Sequence, residues 1–174
     1  KLSRGERGLR LTNHNYKLLV IDIDGTLVGR TRNISAENKE ALAKARDSGA
    51  QVSLSTGRAL KACSSIIDQL SLDSYHISFD GALVSSPDLG EEVYIQLVGQ
   101  EIVKQMIEFA HQAGMNLELF SSTQYFVERE TWSTKAHHQF FGLKATMVNF
   151  SGLWERESII KGGLIATTPE EEAS

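Results

Sequence analysis

The sequence has one cysteine, two prolines and no long hydrophobic run. Because Cys63 has no second cysteine to pair with, a disulfide within the chain is excluded, and a reducing compartment fits. No apolar stretch is long enough to span a bilayer, and no signal-peptide core follows the basic start at Lys1. We therefore expect a cytoplasmic protein with no membrane partner.

Basic residues are also few. The 174 residues include 18 lysines and arginines against 22 aspartates and glutamates, which gives a formal net charge of −4. Domains that bind nucleic acid neutralise its phosphates with a basic stripe, and this sequence has none. The bases near the start are typical of a solvated terminus, so we expect a flexible segment over residues 1–14 and no nucleic-acid partner.

Short apolar runs alternate with helical patterns in the first half of the chain. In chain order they predict a buried strand at 17–23, a helix at 36–48, a strand at 51–55, a helix at 60–70 and a strand at 75–79. This alternation is typical of an α/β fold with a Rossmann-like parallel sheet.

The residue pattern changes after about Leu83. Residues 85–90, Ser-Ser-Pro-Asp-Leu-Gly, are typical of a loop, and we interpret them as a domain boundary. The pattern beyond them predicts strands at 92–97, 116–120, 125–128 and 158–167 and an amphipathic helix at 101–113. We therefore divide the chain into the N-terminal part of a sheet core at 15–84 and a separate α+β module at 85–174.

The first predicted strand ends in two aspartates and a glycine. Asp22 and Asp24 are two residues apart, so their side chains lie on one side if the strand geometry persists. Two nearby carboxylates repel each other, and a divalent cation relieves that repulsion. Magnesium fits, because it takes oxygen ligands and commonly uses one or two protein carboxylates with phosphate and water. Gly25 lets the backbone turn close to a ligand.

The other two strands also end in polar or glycine-containing turns. These turns are Ser55-Thr56-Gly57-Arg58 and Asp80-Gly81. In an open parallel sheet, ligands bind beyond the carboxyl ends of the strands. We therefore expect all three turns to lie together at one edge of the sheet.

The pattern Asp22-Ile23-Asp24-Gly25-Thr26 resembles motif I of the phosphatases in the haloacid dehalogenase (HAD) superfamily. The resemblance implies that Asp22 attacks phosphorus and carries an aspartyl-phosphate. It implies that Asp24 protonates the leaving group and later activates water. It also implies that Mg²⁺ contacts the Asp22 carboxylate and the Asp24 main-chain carbonyl.

The turn after the second strand resembles motif II of the same superfamily, in which a hydroxyl and a backbone N–H hold the phosphoryl oxygens. By this resemblance, Ile23, Thr56 and Gly57 are the residues that bind phosphate.

The Ser-Thr-Gly-Arg form is similar to that of the Cof-type branch, whose members act largely on sugar phosphates and similar small metabolites. That branch carries a large cap domain after its third core strand, where it usually shows Asn-Gly-Ala. This chain has Asp80-Gly81-Ala82 there, which places a carboxylate near the phosphate site. The resemblance puts Arg58, Asp80 and Gly81 in the substrate region and makes residues 85–174 an incomplete cap.

Two motifs of the superfamily are not found. Nothing after Lys161 resembles the Gly-Asp-x-x-x-Asp cluster of motif IV. Lys161-Gly162-Gly163 matches the motif III lysine only superficially, and we interpret it as part of a cap strand. We expect the chain to be part of a longer protein and to be inactive by itself; a naturally short, inactive protein is the alternative.

Other residues are less informative. His137 and His138 cannot readily share a metal ion, because adjacent residues diverge on a helix and face opposite sides of a strand. Cys63 is interpreted as a core residue and Arg30 and Arg32 as solvated loop residues. Four aromatic residues are interpreted first as core packing and second as a substrate lid: Trp132, Phe140, Phe141 and Trp154.

The sequence thus predicts a magnesium-dependent phosphatase that hydrolyses a small, sugar-phosphate-like metabolite through an aspartyl-phosphate. The alternative is a catalytically incomplete phosphate-binding or interaction module, which the missing motif IV favours if the chain is complete. A dehalogenase does not need Asp24, and the sequence contains no P-loop. The oligomeric state is not predicted.

Overall fold

A computed structural model describes residues 16–29 and 33–166. Its first sheet has the order β1-β2-β3-β4-β5, in which the first three strands are parallel and the last two antiparallel. These strands are β1 Leu18–Asp22, β2 Gln51–Ser55, β3 His76–Ser78, β4 Leu83–Ser85 and β5 Glu92–Ile95. The predicted α/β sheet with three parallel strands is confirmed.

Two helical segments connect the parallel strands. They are α1 Ala36–Asp47, and a 3₁₀ turn Leu60–Cys63 that continues into α2 Ser64–Leu70. Helix α1 begins where Ser35 Oγ accepts a hydrogen bond from Asn38 N at 3.1 Å, which satisfies one of the free N–H groups of the first turn.

The second sheet has the order β8-β7-β6-β9. Its strands are β6 Asn116–Phe120, β7 Tyr125–Val127, β8 Thr146–Met147 and β9 Lys161–Ile165, and its helices are α3 Gln100–Ala113, α4 Trp132–Phe141 and α5 Leu153–Arg156. The predicted helix at 101–113 and the hairpin of β6 and β7 are confirmed. Helix α4, strand β8 and helix α5 were not predicted.

The loop at 85–90 is the turn of a hairpin. Ser86 N donates to Glu91 O at 2.9 Å, and both flanking strands, β4 and β5, belong to the first sheet. The domain division at about residue 85 stays a prediction, as does the incomplete cap. The segment 1–14, Arg30, Arg32 and the last residues after 166 lie outside the described residues.

Three apolar clusters form the interior. One packs the first sheet against α1 and α2, and a second packs β6 against α3 and α5. A third joins the two sheets, with Phe79 and Leu83 from the first region packed near Phe120 and Tyr125 from the second. The carboxyl ends of the parallel strands therefore face residues of the second sheet.

Strand β1 differs from its prediction as a buried strand. Leu18, Leu19 and Val20 are 53%, 39% and 44% exposed. β1 is at the edge of its sheet and pairs only with β2 in the described part of the chain, and the described residues leave both of its faces partly uncovered. Among the described residues, no helix has the length and apolar character needed to cross a bilayer.

Candidate active site

The turn after β1 places two aspartates at the carboxyl end of the first sheet. Asp22 is the last residue of β1, and Ile23 after it is fully buried. The chain reverses at Gly25, whose φ of +81° is a left-handed value that glycine adopts without strain. Leu27 N donates to Asp22 O at 3.2 Å, and Val28 N donates to Ile23 O at 2.8 Å. The turn is therefore fixed by its own backbone hydrogen bonds.

The Asp22 side chain is exposed and has one hydrogen-bond partner. Thr26 Oγ1 donates to Asp22 Oδ2 at 3.0 Å, and within the described residues Oδ1 accepts no hydrogen bond. An ionised carboxylate has about four acceptor sites. Asp22 therefore keeps the capacity to contact a substrate or a cation.

Asp24 is joined to the turn after β2 by an ion pair. Arg58 Nε donates to Asp24 Oδ2 at 2.8 Å, and Arg58 Nη2 donates to Oδ1 at 2.5 Å. This two-bond arrangement fixes the orientation of both side chains. Arg58 is largely buried, with 17% of its side chain exposed, whereas 62% of the Asp24 side chain is exposed. The first two turns therefore lie together.

The third turn is joined to the second through Thr56. Thr56 N donates to Ile77 O at 3.0 Å, and Asp80 N donates to Thr56 O at 3.1 Å. The buried Thr56 hydroxyl accepts from Arg58 N at 3.2 Å. The expectation that the three turns gather at one edge of the sheet is confirmed by these contacts.

Gly57 leaves room for the Asp80 carboxylate. A Cβ atom on Gly57 would lie 2.5 Å from Asp80 Oδ1, which is closer than such atoms approach in proteins. Phe79, Asp80 and Gly81 have φ values of +51°, +56° and +96°. Consecutive left-handed residues other than glycine are uncommon and cluster at functional sites. The turn therefore holds Asp80 in a defined place beside Gly57.

Lys161 lies beside the candidate site, although its sequence pattern was interpreted as part of a cap strand and not as the motif III lysine. It is the first residue of β9, which agrees with its interpretation as a strand residue of the second module. Its Nζ lies 2.7 Å from Asp80 Oδ2 and donates to Gly57 O at 3.1 Å. The carboxylate that replaces an amide at position 80 is therefore paired with a cation. A signal existed, because an anion near the predicted phosphate site favours a compensating positive charge, but 81 residues separate Asp80 from Lys161.

Two further contacts join the turns to the second module. The Arg58 guanidinium carbon lies 4.5 Å from the centre of the Phe141 ring, within the range of a cation–π interaction. Lys61 Nζ donates to Thr123 O at 2.6 Å. The strand ends are thus partly covered by residues of the second sheet and of α4.

In the part of the chain that the structure describes, the candidate site has too few side-chain ligands to hold a metal ion by themselves, but its oxygen atoms are of the kind that Mg²⁺ binds. Within the described residues, no three His, Cys, Asp or Glu side chains are grouped to hold a metal. The Asp22 carboxylate and the main-chain oxygen of Asp24 could contact a cation from the motif I turn. Because Mg²⁺ takes oxygen ligands and usually keeps several waters, these two oxygens fit part of its ligand shell.

The adjacent histidines of α4 have different surroundings, as expected. His138 is exposed, whereas His137 is half-buried with its Nε2 3.5 Å from Glu118 Oε2. Cys63 is fully buried, and burial raises the pKa of its thiol to about 11, so the thiol is protonated at neutral pH. The interpretation of Cys63 as a core residue is confirmed.

The four aromatic residues of the second module do not share one role. Trp154 packs against the apolar cluster of β6 and α3, which confirms core packing there. Trp132 is 62% exposed, so core packing is wrong for it, and its Nε1 donates to Ala166 O at 3.1 Å. Phe140 is 48% exposed. Phe141 lies beside Arg58 at the site.

The sequence of this chain is similar to those of known hydrolases and phosphatases. The profile of a family described as haloacid dehalogenase-like hydrolase matches residues 19–171. The 5-amino-6-(5-phospho-D-ribitylamino)uracil phosphatase YcsE of Bacillus subtilis is 42% identical over 68 residues, which are 39% of this chain and 27% of YcsE. The phosphatase YwpJ of B. subtilis is 29% identical over 110 residues, 63% of this chain and 38% of YwpJ.

Solved structures show the same fold. The sugar phosphatase BT4131 of HAD subclass IIB superimposes with a TM-score of 0.70 at 27% identity, over 90% of this chain and 61% of BT4131. A hypothetical protein of Geobacillus kaustophilus gives a TM-score of 0.72 at 26% identity, over 91% of this chain and 60% of that one. The matched regions make up 27% to 61% of these relatives, so the chain spans less than two thirds of the length of each. By the extent of the family match, it belongs to the haloacid dehalogenase-like hydrolases.

Proposed function

We propose that the protein containing this chain is a magnesium-dependent phosphatase that hydrolyses a small, sugar-phosphate-like metabolite through an aspartyl-phosphate on Asp22. The observation that carries the proposal is the meeting of three strand-end turns around Asp22, Asp24 and Arg58. The relatives support the substrate class, because BT4131 is named a sugar phosphatase and YcsE is named for a substrate with a phosphorylated ribityl chain.

In the first step, an Asp22 carboxylate oxygen attacks phosphorus and the bond from phosphorus to the ester oxygen breaks. Asp24 gives its proton to the departing oxygen, which leaves as an alcohol. In the second step, Asp24 takes a proton from water, and the water oxygen attacks phosphorus. Inorganic phosphate leaves and the Asp22 carboxylate is restored. Splitting the hydrolysis in this way replaces one difficult step with two easier ones.

The other residues of the site bind and orient the phosphate. The main-chain N–H of Ile23, the Thr56 hydroxyl and the Gly57 N–H are the proposed donors to the phosphoryl oxygens. A bound Mg²⁺, contacted by Asp22 and Asp24, would supply positive charge that stabilises the transferring group. Arg58 is paired with Asp24 in the structure, and an incoming phosphate would compete for the guanidinium and so release the Asp24 carboxylate, which takes up a proton from solvent before the first step.

The test is Asp22→Asn in the longest form of the protein that contains this sequence. We expect phosphate release from sugar phosphates to fall by roughly a thousandfold or more, because the amide cannot act as nucleophile. The matched control is Asp68→Asn, an exposed aspartate on α2, which should leave the rate unchanged. Chelation by EDTA should stop the reaction, and added Mg²⁺ should restore it.

Phosphate release that survives Asp22→Asn would overturn the mechanism. The alternative, a catalytically incomplete phosphate-binding or interaction module, predicts binding of inorganic phosphate to the wild-type protein with no turnover of any sugar phosphate.

A further inference from the structure

A cavity of about 190 Å³ lies between the strand-end turns and the second module. Its walls are mostly apolar and include the rings of Phe79, Phe120 and Phe141. A cavity of about 150 Å³ can hold a benzene molecule. This cavity is therefore large enough for one ring that carries a small substituent.

The cavity is continuous with the proposed phosphate site. Arg58 and Lys161 both line it, and they pair with Asp24 and Asp80, respectively. Gly57, a proposed phosphate-binding residue, lines it as well. A phosphate ester bound at the strand-end turns would have this cavity beside it.

One wall of the cavity contains a buried carboxylate. Glu118, in the middle of β6, is only 3% exposed. Its Oε1 accepts a hydrogen bond from the Tyr125 hydroxyl at 2.6 Å. Burial and the neighbouring Glu118 raise the pKa of Tyr125, so this hydroxyl keeps its proton and acts as the donor. A buried carboxylate needs several donors to replace its hydration, and among residues 16–29 and 33–166 only the Tyr125 hydroxyl gives this one a short hydrogen bond.

His137 lies next to Glu118 and is also incompletely paired. Its Nε2 is 3.5 Å from Glu118 Oε2, at the outer limit for a hydrogen bond. Its Nδ1 is shielded from solvent and has no hydrogen-bond partner among the described residues. An unpaired buried polar atom costs free energy, so such atoms call for an explanation. Because His137 Nδ1 is shielded, a ligand in the cavity does not reach it. Glu118 and His137 both line the cavity, and Glu118 Oε2, which accepts no short hydrogen bond within the described residues, is the acceptor left for a ligand there.

We propose that this cavity binds the organic part of the substrate, and that Glu118 accepts a hydrogen bond from a hydroxyl or amino group on it. The inference rests on the proposed function, since it assumes that the phosphate lies at the strand-end turns. The substrate class is then a phosphate monoester whose organic part has about the size of one ring and carries a hydrogen-bond donor. Phe120 and Phe141 would contact the apolar surface of that part.

Binding of two non-hydrolysable probes tests the inference. The probes are 3-hydroxyphenylphosphonate and 3-methoxyphenylphosphonate. In the second probe a methyl group replaces the donor hydrogen of the first. The affinity of each is measured by calorimetry in the presence of Mg²⁺. We expect the hydroxyl probe to bind roughly tenfold more tightly, because a hydrogen bond to the charged Glu118 carboxylate adds about that much affinity. In Glu118→Gln, the preference should fall to less than about threefold, because a neutral acceptor replaces the carboxylate.

The glutamine should preserve the fold, since its carbonyl oxygen can still accept from Tyr125. The matched control is Glu128→Gln. Glu128 also pairs with a histidine of the second module, His111, at 2.6 Å, but neither residue lines this cavity. The control should keep the tenfold preference, and inorganic phosphate should bind equally to all three proteins.

An equal preference in the wild type and in Glu118→Gln would overturn the inference, and would mean that the Glu118–His137 pair has only a structural role. Absence of any preference in the wild type would overturn it too. Neither result depends on turnover, so failure of the proposed function is seen separately in the Asp22→Asn experiment. A preference that depends on Glu118 in a protein without phosphatase activity would support the binding site alone.

Discussion

Strands β1 and β6 both have five residues but lie in opposite surroundings. β1, with the sequence LLVID, exposes its leucines and valine by 39–53%. β6, with the sequence NLELF, contains a glutamate and nevertheless buries its last four residues. β6 pairs with β7 and β9 and packs against α3, whereas β1 pairs with β2 alone in the described residues.

The difference shows that neighbours decide burial more than composition does. An interior strand has both backbone edges paired and its side chains covered, so even a carboxylate can be enclosed if a hydroxyl donates to it. An edge strand presents its backbone groups on one side whatever its side chains are. In this chain, the proposed nucleophile Asp22 is the last residue of the edge strand β1. Glu118, which we propose binds the substrate, lies in the interior strand β6.

The largest expected effect is on the free energy of unfolding, when a leucine is replaced by alanine in β6 and, for comparison, in β1. Leu119→Ala in β6 removes a fully buried side chain and should lower the free energy of unfolding by about 2–5 kcal/mol. Leu19→Ala in β1, where the side chain is 39% exposed, should cost less than about 1 kcal/mol. Urea unfolding of the two variants measures both values, and equal losses would contradict the comparison.

A smaller effect, on phosphate binding, is expected at Lys161. This residue begins β9 in the second sheet, and its side chain pairs with Asp80 at the candidate site. Lys161→Met leaves the Asp80 carboxylate uncompensated, and its repulsion of phosphate should weaken the binding of inorganic phosphate by roughly tenfold. The double variant Lys161→Met with Asp80→Asn should regain most of that affinity. Because both side chains are substantially exposed, stability should change little.

The control for this pair is Lys104→Met on α3. Lys104 lies 4.0 Å from Glu108 in an ion pair of the same helix, so its loss should leave phosphate affinity unchanged. If the double variant binds phosphate as weakly as Lys161→Met does, charge compensation is not the function of Lys161.

The smallest expected effect concerns the two glycines of β9. A Cβ atom at Gly162 would lie 2.1 Å from Met106 Cε and 3.1 Å from Leu119 Cδ2. Gly162→Ala should therefore cost about 1 kcal/mol, since the flexible methionine must move. Gly163 has no atom within 4 Å of such a Cβ, so Gly163→Ala should change stability by less than about 0.5 kcal/mol. Thermal unfolding measures the pair, and a larger loss at Gly163 would contradict the packing of β9 on β6.

Local patterns predicted some elements and missed others, and the length of an element does not separate the two groups. The helix ending at Gly114 and the strand at 51–55 were predicted because apolar spacing and a terminating residue agree there. Helix α4 was missed, although Thr131 and Thr134 form reciprocal hydrogen bonds at its start. The usual sequence signature has Glu or Gln at the later position, so threonine gave no signal.

The sequence predicted which residues belong to the candidate site, but it did not predict the ion pairs between them. The order of turns and the resemblances to motifs I and II predicted Asp22, Asp24 and Thr56 as site residues. The pairing of Asp24 with Arg58 spans 34 residues, and that of Asp80 with Lys161 spans 81. No spacing rule connects residues so far apart, because their approach depends on how the two sheets pack.

The sequence by itself determined the wound α/β order, the aspartates at the end of the first strand and the glycines that allow its turns. These are properties of neighbouring residues, since backbone preference and apolar period act over a few positions. The tertiary structure decided that Glu118 is buried beside His137 and that Lys161 lies against Asp80. Burial and ion pairing depend on which surfaces meet in space, and that is set by the packing of the whole chain.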